Sequence, residues 1–289
     1  MYTERQGLTY TFAYIAILSL SSVFVEKLSL HVSIEMMNLC VAVMAALTFN
    51  AMNISRLGVA YRAVRSQPRL WLWMSVSIAG SWILSYYCTM TSSADFSMAL
   101  VFLSCSLIGA IFNKNMLKVL FCLLSIGLCF DAARQSLLST TYGIASGVCL
   151  FFYTYYSKQY AAKNQATSLD ILSVRFFPMM IVAAALFIMY NNPKTGILTA
   201  SSSLHIWGLI ILVCFANRVI PMLFFQPAVQ ALKPDRLSFL LTLVPLTTYL
   251  FESAINRHFP VDLFLAVGIS TLALNIDRIW VSAKSAYHF

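Results

Sequence analysis

The chain has 289 residues, 60% hydrophobic and only 10% charged, with a mean hydropathy of +0.78. That is less than half the roughly 25% charge of a soluble domain, which excludes a water-soluble fold, a disordered chain and a disulfide scaffold. The net charge of +9 would suggest nucleic acid in a soluble protein, but bases collect in the cytoplasmic loops of membrane proteins, so no nucleic-acid partner is expected.

A bilayer-spanning helix uses about 20 apolar residues. Apolar stretches fall at 8–25, 32–53, 70–90, 96–112, 116–130, 137–156, 171–190, 204–228, 237–255 and 261–280. The expected fold class is an all-α polytopic membrane protein with ten transmembrane helices. Only residues 113–115 separate the fourth and fifth stretches, an abrupt helical hairpin, so nine spans is the competing count.

The first stretch has no small-residue cleavage site before Glu26 and Lys27 and reads as an uncleaved span. It carries Tyr10, Tyr14, Ile17 and Ser21 at helical spacing. Tyr14 is a candidate cavity residue, whereas Tyr10 suits an interfacial anchor. Glu35 opens the second span and reads as interfacial. The basic segment 56–69 is expected to be a loop that sets orientation and touches anionic lipid. Span three sets Ser77, Ser81, Ser85 and Thr89 at helical spacing beside Trp82 and Tyr86, on a cavity or a packing face.

Span six repeats the pattern with Tyr142, Ser146, Cys149, Tyr153 and Tyr156, of which Ser146 and Tyr153 are placed on the cavity and Tyr156 at the interface. Aromatic faces stack on planar cargo or hold cations. Gly143 and Gly147 form a GxxxG suited to close helix packing. Arg175 lies about five residues into span seven, from where it is expected to snorkel to the cytoplasm as a structural residue.

Span eight holds Asn217 and Arg218, the latter about 14 residues in, roughly 20 Å deep. Charges at such depth face an interior or a wet cavity. Arg218 reads as a contact for an anion or carboxylate; the competing reading pairs it with a buried acid such as Glu252. Pro221 and Pro227 follow. Span nine places Ser238, Thr242, Pro245, Tyr249, Glu252 and Asn256 on one helical face, a cavity wall or a set of helix–helix hydrogen bonds. Glu252 could bind a cation, titrate for proton coupling or meet headgroups. Pro178, Pro221, Pro227 and Pro245 all fall in second-half spans, and Pro221 and Pro245 are expected hinges.

Charge sorts with the ten-span count. One side receives Arg5, Arg56, Arg62, Arg65, Arg69, Lys114, Lys118, Lys158, Lys163, Lys233, Arg236, Arg278 and Lys284; the other receives only Lys27, Arg134, Lys194 and Arg257. Both termini are therefore expected in the cytoplasm of a plasma or bacterial inner membrane. The halves 1–133 and 134–289 echo each other: Thr9-Tyr10 with Thr141-Tyr142, Asp95 with Asp235, Gly127 with Gly268. A five-span unit repeated once must re-enter upside down, which places a site between the halves and favours alternating access.

The run VIPMLFFQPAVQALKPDRLSFLLTLVP at 219–245, followed by Val267-Gly268, resembles the EamA-like branch of the drug/metabolite transporter superfamily. There an Ala-Leu end of one span turns into a span with a central proline, and Arg175 resembles the family's arginine near the start of a repeat's second span. Glu35 and Cys105 stand where the first repeat would carry that arginine and proline. The resemblance implies a metabolite carrier with a cavity between two halves.

The expected function is a secondary carrier of a small polar metabolite, an amino acid or amino-acid-like compound, with Arg218 on its carboxylate and tyrosines on its body. A proton or an exchanged metabolite would be the coupling partner, and membrane lipids the surroundings. The alternatives are an organic-cation or drug exporter built on Glu252 and the aromatic faces, and an intramembrane lipid-modifying enzyme. No catalytic residue, cofactor or metal is expected: the seven cysteines show no CxxC spacing and the four histidines are scattered. Oligomeric state is left open by the sequence.

Overall fold

In a computed structural model, residues 2–28, 31–133, 136–190, 204–232, 234–257, 259 and 261–286 of the chain are described. Arg134, Lys194, Lys233, His258 and His288, and the side chains of His205, Asp235, Ser238, Arg278 and Lys284, lie outside the described residues. The described chain is helical throughout. It runs α1 (Glu4–Leu28), α2 (Ile34–Met52), α3 (Leu57–Ser66), α4 (Pro68–Thr91), α5 (Ala94–Phe112), α6 (Met116–Ala133) and α7 (Leu137–Asn164). It continues with α8 (Ser168–Val174), α9 (Phe177–Tyr190), α10 (Leu204–Cys214), α11 (Ile220–Ala231), α12 (Pro234–Leu241), α13 (Leu243–Asn256) and α14 (Val261–Ala286). Six helical segments are long and apolar enough to cross a membrane, the make-up of a polytopic helical membrane protein.

Local chemistry fixes the ends. Ser33 and Ser136 cap α2 and α7 by accepting from Met36 and Ser139 N–H. Thr167 and Asp170 form a reciprocal capping box on α8. The expected hairpin at 113–115 is present, with Lys114 in the left-handed region (φ 55°) and Asn115 N–H closing on Ala110 O. The segment expected as a basic loop instead contains α3, which buries Ala60 and leaves Arg62 and Arg65 exposed. Its apolar side has α8 to pack on, which a sequence pattern does not reveal.

Three of the four prolines in second-half spans coincide with helix breaks, whereas Pro227 lies inside the continuous α11. Pro178 follows the interruption between α8 and α9, Pro221 the π-helical turn Phe215–Val219, and Pro245 the interruption at Thr242. A proline has no N–H for the carbonyl four residues back. Behind Pro178 that carbonyl is Val174 O, which accepts the Trp71 indole N–H at 2.9 Å. Among the described residues α1, α2, α4 and α5, which carry no interior proline, run unbroken.

Neighbours are exchanged between the halves. α1 packs on α11 and α13, and α7 packs on α4 and α5. At one end two ion pairs join the halves, Arg56 to Asp170 at 3.0 Å and Glu4 to Arg236. The Asp170 side chain is 3% exposed and also accepts from Asn53 and from Thr167 N–H, whereas Arg56 is 50% exposed. Asp170→Ala is therefore expected to cost about 2 kcal/mol, through lost charged hydrogen bonds and a lost cap. Arg56→Ala should cost under about 1 kcal/mol, because its solvent-exposed charge rehydrates. Thermal unfolding of the two variants in detergent checks this order.

At the other end, three carboxylates serve the first N–H groups of α5. Glu26 accepts from Ala94 at 2.7 Å, Glu252 from Asp95 at 2.9 Å, and Asp95 from Phe96 at 2.6 Å. These amides have no intrahelical acceptor, and the helix dipole favours negative charge beside them. The outward faces are apolar, with Leu120, Leu124 and Leu128 on α6 and Ile181 and Ile188 on α9 exposed, as contact with lipid requires.

Candidate anion-binding site

The π turn of residues 215–219 packs against α1 and α2 and turns Asn217 and Arg218 inward. Wide turns of this kind recur at functional sites because they aim side chains that a regular helix would stagger apart. Asn217 donates to Ser21 and Ser22, each at 3.1 Å, and accepts from the Tyr86 hydroxyl at 3.1 Å. It thereby ties α1 to α4. Arg218 is 7% exposed; its guanidinium donates to Ser85 and lies over the rings of Tyr86 (4.7 Å) and Trp82 (5.2 Å). Its Nε and the Trp82 indole N–H have no hydrogen-bond partner. Among the described residues no carboxylate pairs with it, and Glu252, the expected competitor, is engaged at the head of α5.

Arg175 corrects the sequence reading. Rather than snorkelling, it is 0% exposed, set in the break between α8 and α9. The reason is tertiary: α8, which leads into it, is covered by α2, α3 and α11. Its guanidinium lies 4.8 Å over both Tyr153 and Phe176 and donates to Gln226 Oε1 at 3.2 Å, while Nε and Nη2 have no partner. Gln226 is held in turn by the Tyr153 hydroxyl and by Ser157 at 3.0 Å.

The two arginines belong to one belt of rings. Phe176 lies 4.9 Å from Trp82, Tyr153 lies 6.4 Å from Phe225, and Phe225 stacks on Tyr14 at 4.7 Å. Stripping a charge of water costs several kcal/mol. A desolvated ring face returns about 2 kcal/mol. The belt thus offsets part of the cost and leaves cationic N–H donors unmet.

Of the expected site residues, the structure gathers Arg218, Asn217, Trp82, Tyr86, Tyr14 and Tyr153 here. Ser146 instead donates to Ser81 O at 2.8 Å in the α4–α7 contact. Thr242 and Pro245 line a small, mostly apolar crevice with residues of α5 and α14. The Tyr249 ring packs tilted against Phe264 at 5.4 Å, and Glu252 caps α5. The stripe on span nine thus meets α5 and α14. The wet chamber expected around the tyrosines is not open in this conformation, since Tyr14, Trp82, Tyr86 and Tyr153 are all buried. Sequence reasoning passed over Phe176, Phe225 and Gln226, took Arg175 as structural, and left Ser85 between a cavity and a packing face. A signal was available: Arg175 and Arg218 each stand three residues before a proline, Pro178 and Pro221.

Among comparisons with known proteins, no family model and no curated protein matches the chain. A solved structure described only as a crystal structure of a protein is similar, with a TM-score of 0.68 and 10% identical residues, over 95% of this chain and 98% of that one. That likeness concerns the fold alone.

Proposed function

We propose that the protein is a secondary carrier of a small metabolite bearing a carboxylate, an amino acid or amino-acid-like compound, in a ten-span fold of two inverted five-helix halves (1–133 and 134–289) with both termini cytoplasmic. The EamA-like resemblance of residues 219–245 agrees with this reading. The exchange of neighbours supports the two halves, because α1 on α11 and α13 mirrors α7 on α4 and α5. The observation that carries the function is Arg218, buried in a π turn with an unmet donor and, among the described residues, no acid paired with it. Broken helices at the site are what carriers use to place ion-binding groups at the membrane midplane. The buried belt is then an occluded state, which opens as the halves rock.

The cation-exporter reading is weaker, because guanidinium groups already lie on Trp82, Tyr86, Tyr153 and Phe176. A thermal-shift screen of purified protein with amino acids, nucleosides and organic cations tests the choice, since binding raises apparent stability. Stabilisation by carboxylates is the expected result. Stabilisation by organic cations alone, lost in Glu252→Gln, would overturn it. Pro221→Ala, by restoring a backbone donor beside the π turn, is expected to slow transport in liposomes roughly tenfold, about 1.4 kcal/mol on the barrier. An unaltered rate would remove Pro221 as a hinge.

A further inference from the structure

We propose that Arg175 is a second anion subsite on the same aromatic belt as Arg218, so that the cargo is a small organic dianion with two negative groups on a compact spacer. The inference rests on the carrier reading above and narrows its substrate class.

Three observations carry it. Arg175 has two unmet nitrogens, Nε and Nη2, at full burial, and Arg218 has an unmet Nε. Among the described residues no carboxylate neutralises either one. Both sit at helix interruptions followed by a proline three residues on, so each is held by a backbone feature that a uniform helix would lack.

A single carboxylate would neutralise one of the two guanidinium groups and leave the other buried and bare, at a cost of several kcal/mol. A dianion removes both penalties. Phe176 and Trp82, 4.9 Å apart, connect the two cations, so the spacer between the anionic groups would lie along ring faces. An arginine fork suits carboxylate and phosphate oxygens alike.

The test is thermal-shift titration of the purified full chain with a monocarboxylate series, straight-chain dicarboxylates of increasing length and a phosphate monoester. A dicarboxylate of one preferred length is expected to bind about tenfold or more tighter than the matched monocarboxylate, the gain from one added charged contact. Arg175→Gln should then lose about tenfold more affinity for the dicarboxylate than for the monocarboxylate. A phosphate monoester that outbinds every dicarboxylate, with the same loss in Arg175→Gln, would also support the dianion and identify phosphate as its source. If the Gln variant does not fold, Arg175→Lys, which keeps the charge but not the fork, takes its place. The preference of the unaltered protein for dianion over monoanion decides the matter without any variant. Equal affinity for mono- and dicarboxylates would overturn the inference while leaving the carrier reading intact. No response to any anion would overturn both.

Discussion

Arg218→Met is expected to abolish stabilisation by anionic ligands, weakening binding about 100-fold or more, while leaving the unliganded protein as stable as before to within about 1 kcal/mol. The affinity loss follows from charged hydrogen bonds worth roughly 1.5–3 kcal/mol each. The stability result has the opposite logic. Breaking a buried ion pair by removing one partner costs about 3–5 kcal/mol. Arg218 has no acidic partner among the described residues, so its removal strands no charge. Methionine keeps much of the stem's packing between Trp82 and Tyr86, and the lost ring contacts, about 2 kcal/mol, are offset by relief of the desolvation cost. Thermal unfolding with and without ligand reads both quantities. A large fall in unliganded stability would show that Arg218 is a structural residue and sink its assignment to cargo.

Gly147→Ala is expected to be the most damaging glycine-to-alanine change among the described residues, costing about 3 kcal/mol or more. A Cβ at Gly147 would stand 2.3 Å from Val101 O and 3.0 Å from Cys105 N, and both are backbone atoms of α5. Neither can swing aside as a side chain can, so α5 and α7 must separate, and the seam between them would open along its length. Gly143→Ala meets the Leu100 side chain at 2.7 Å and should cost less. Gly127→Ala meets nothing within 4 Å and should be neutral or slightly stabilising, through lower entropy of the unfolded chain. The ranking of the three midpoints in a detergent melt checks the argument. Equal tolerance of Gly147→Ala and Gly127→Ala would refute close approach of the two helices.

What the sequence determined by itself was class and local grammar. Low charge and repeated apolar stretches dictate a membrane protein, because buried backbone in lipid must close its own hydrogen bonds in helices. The helix breaks were readable at Pro178, Pro221 and Pro245, because a missing N–H acts at a fixed distance along the chain. The need for close packing at Gly143 and Gly147 was legible for the same local reason. Arg218 stood out because a charge deep in an apolar run must be compensated by something.

The tertiary structure decided where such residues point and what covers them. The stripe of Thr242, Tyr249 and Glu252 lies on one helical face, but periodicity gives a face and not its neighbour, and that neighbour is α5 with α14. Glu252 became the cap of a helix 157 residues away in sequence. Arg175 looked free to reach water when depth was counted in residues, yet it is fully buried, with α2, α3 and α11 over the helix α8 that leads into it. Burial is a property of the assembled bundle, set by contacts between segments far apart in the chain, and so the second buried cation could be recognised only once the helices were packed.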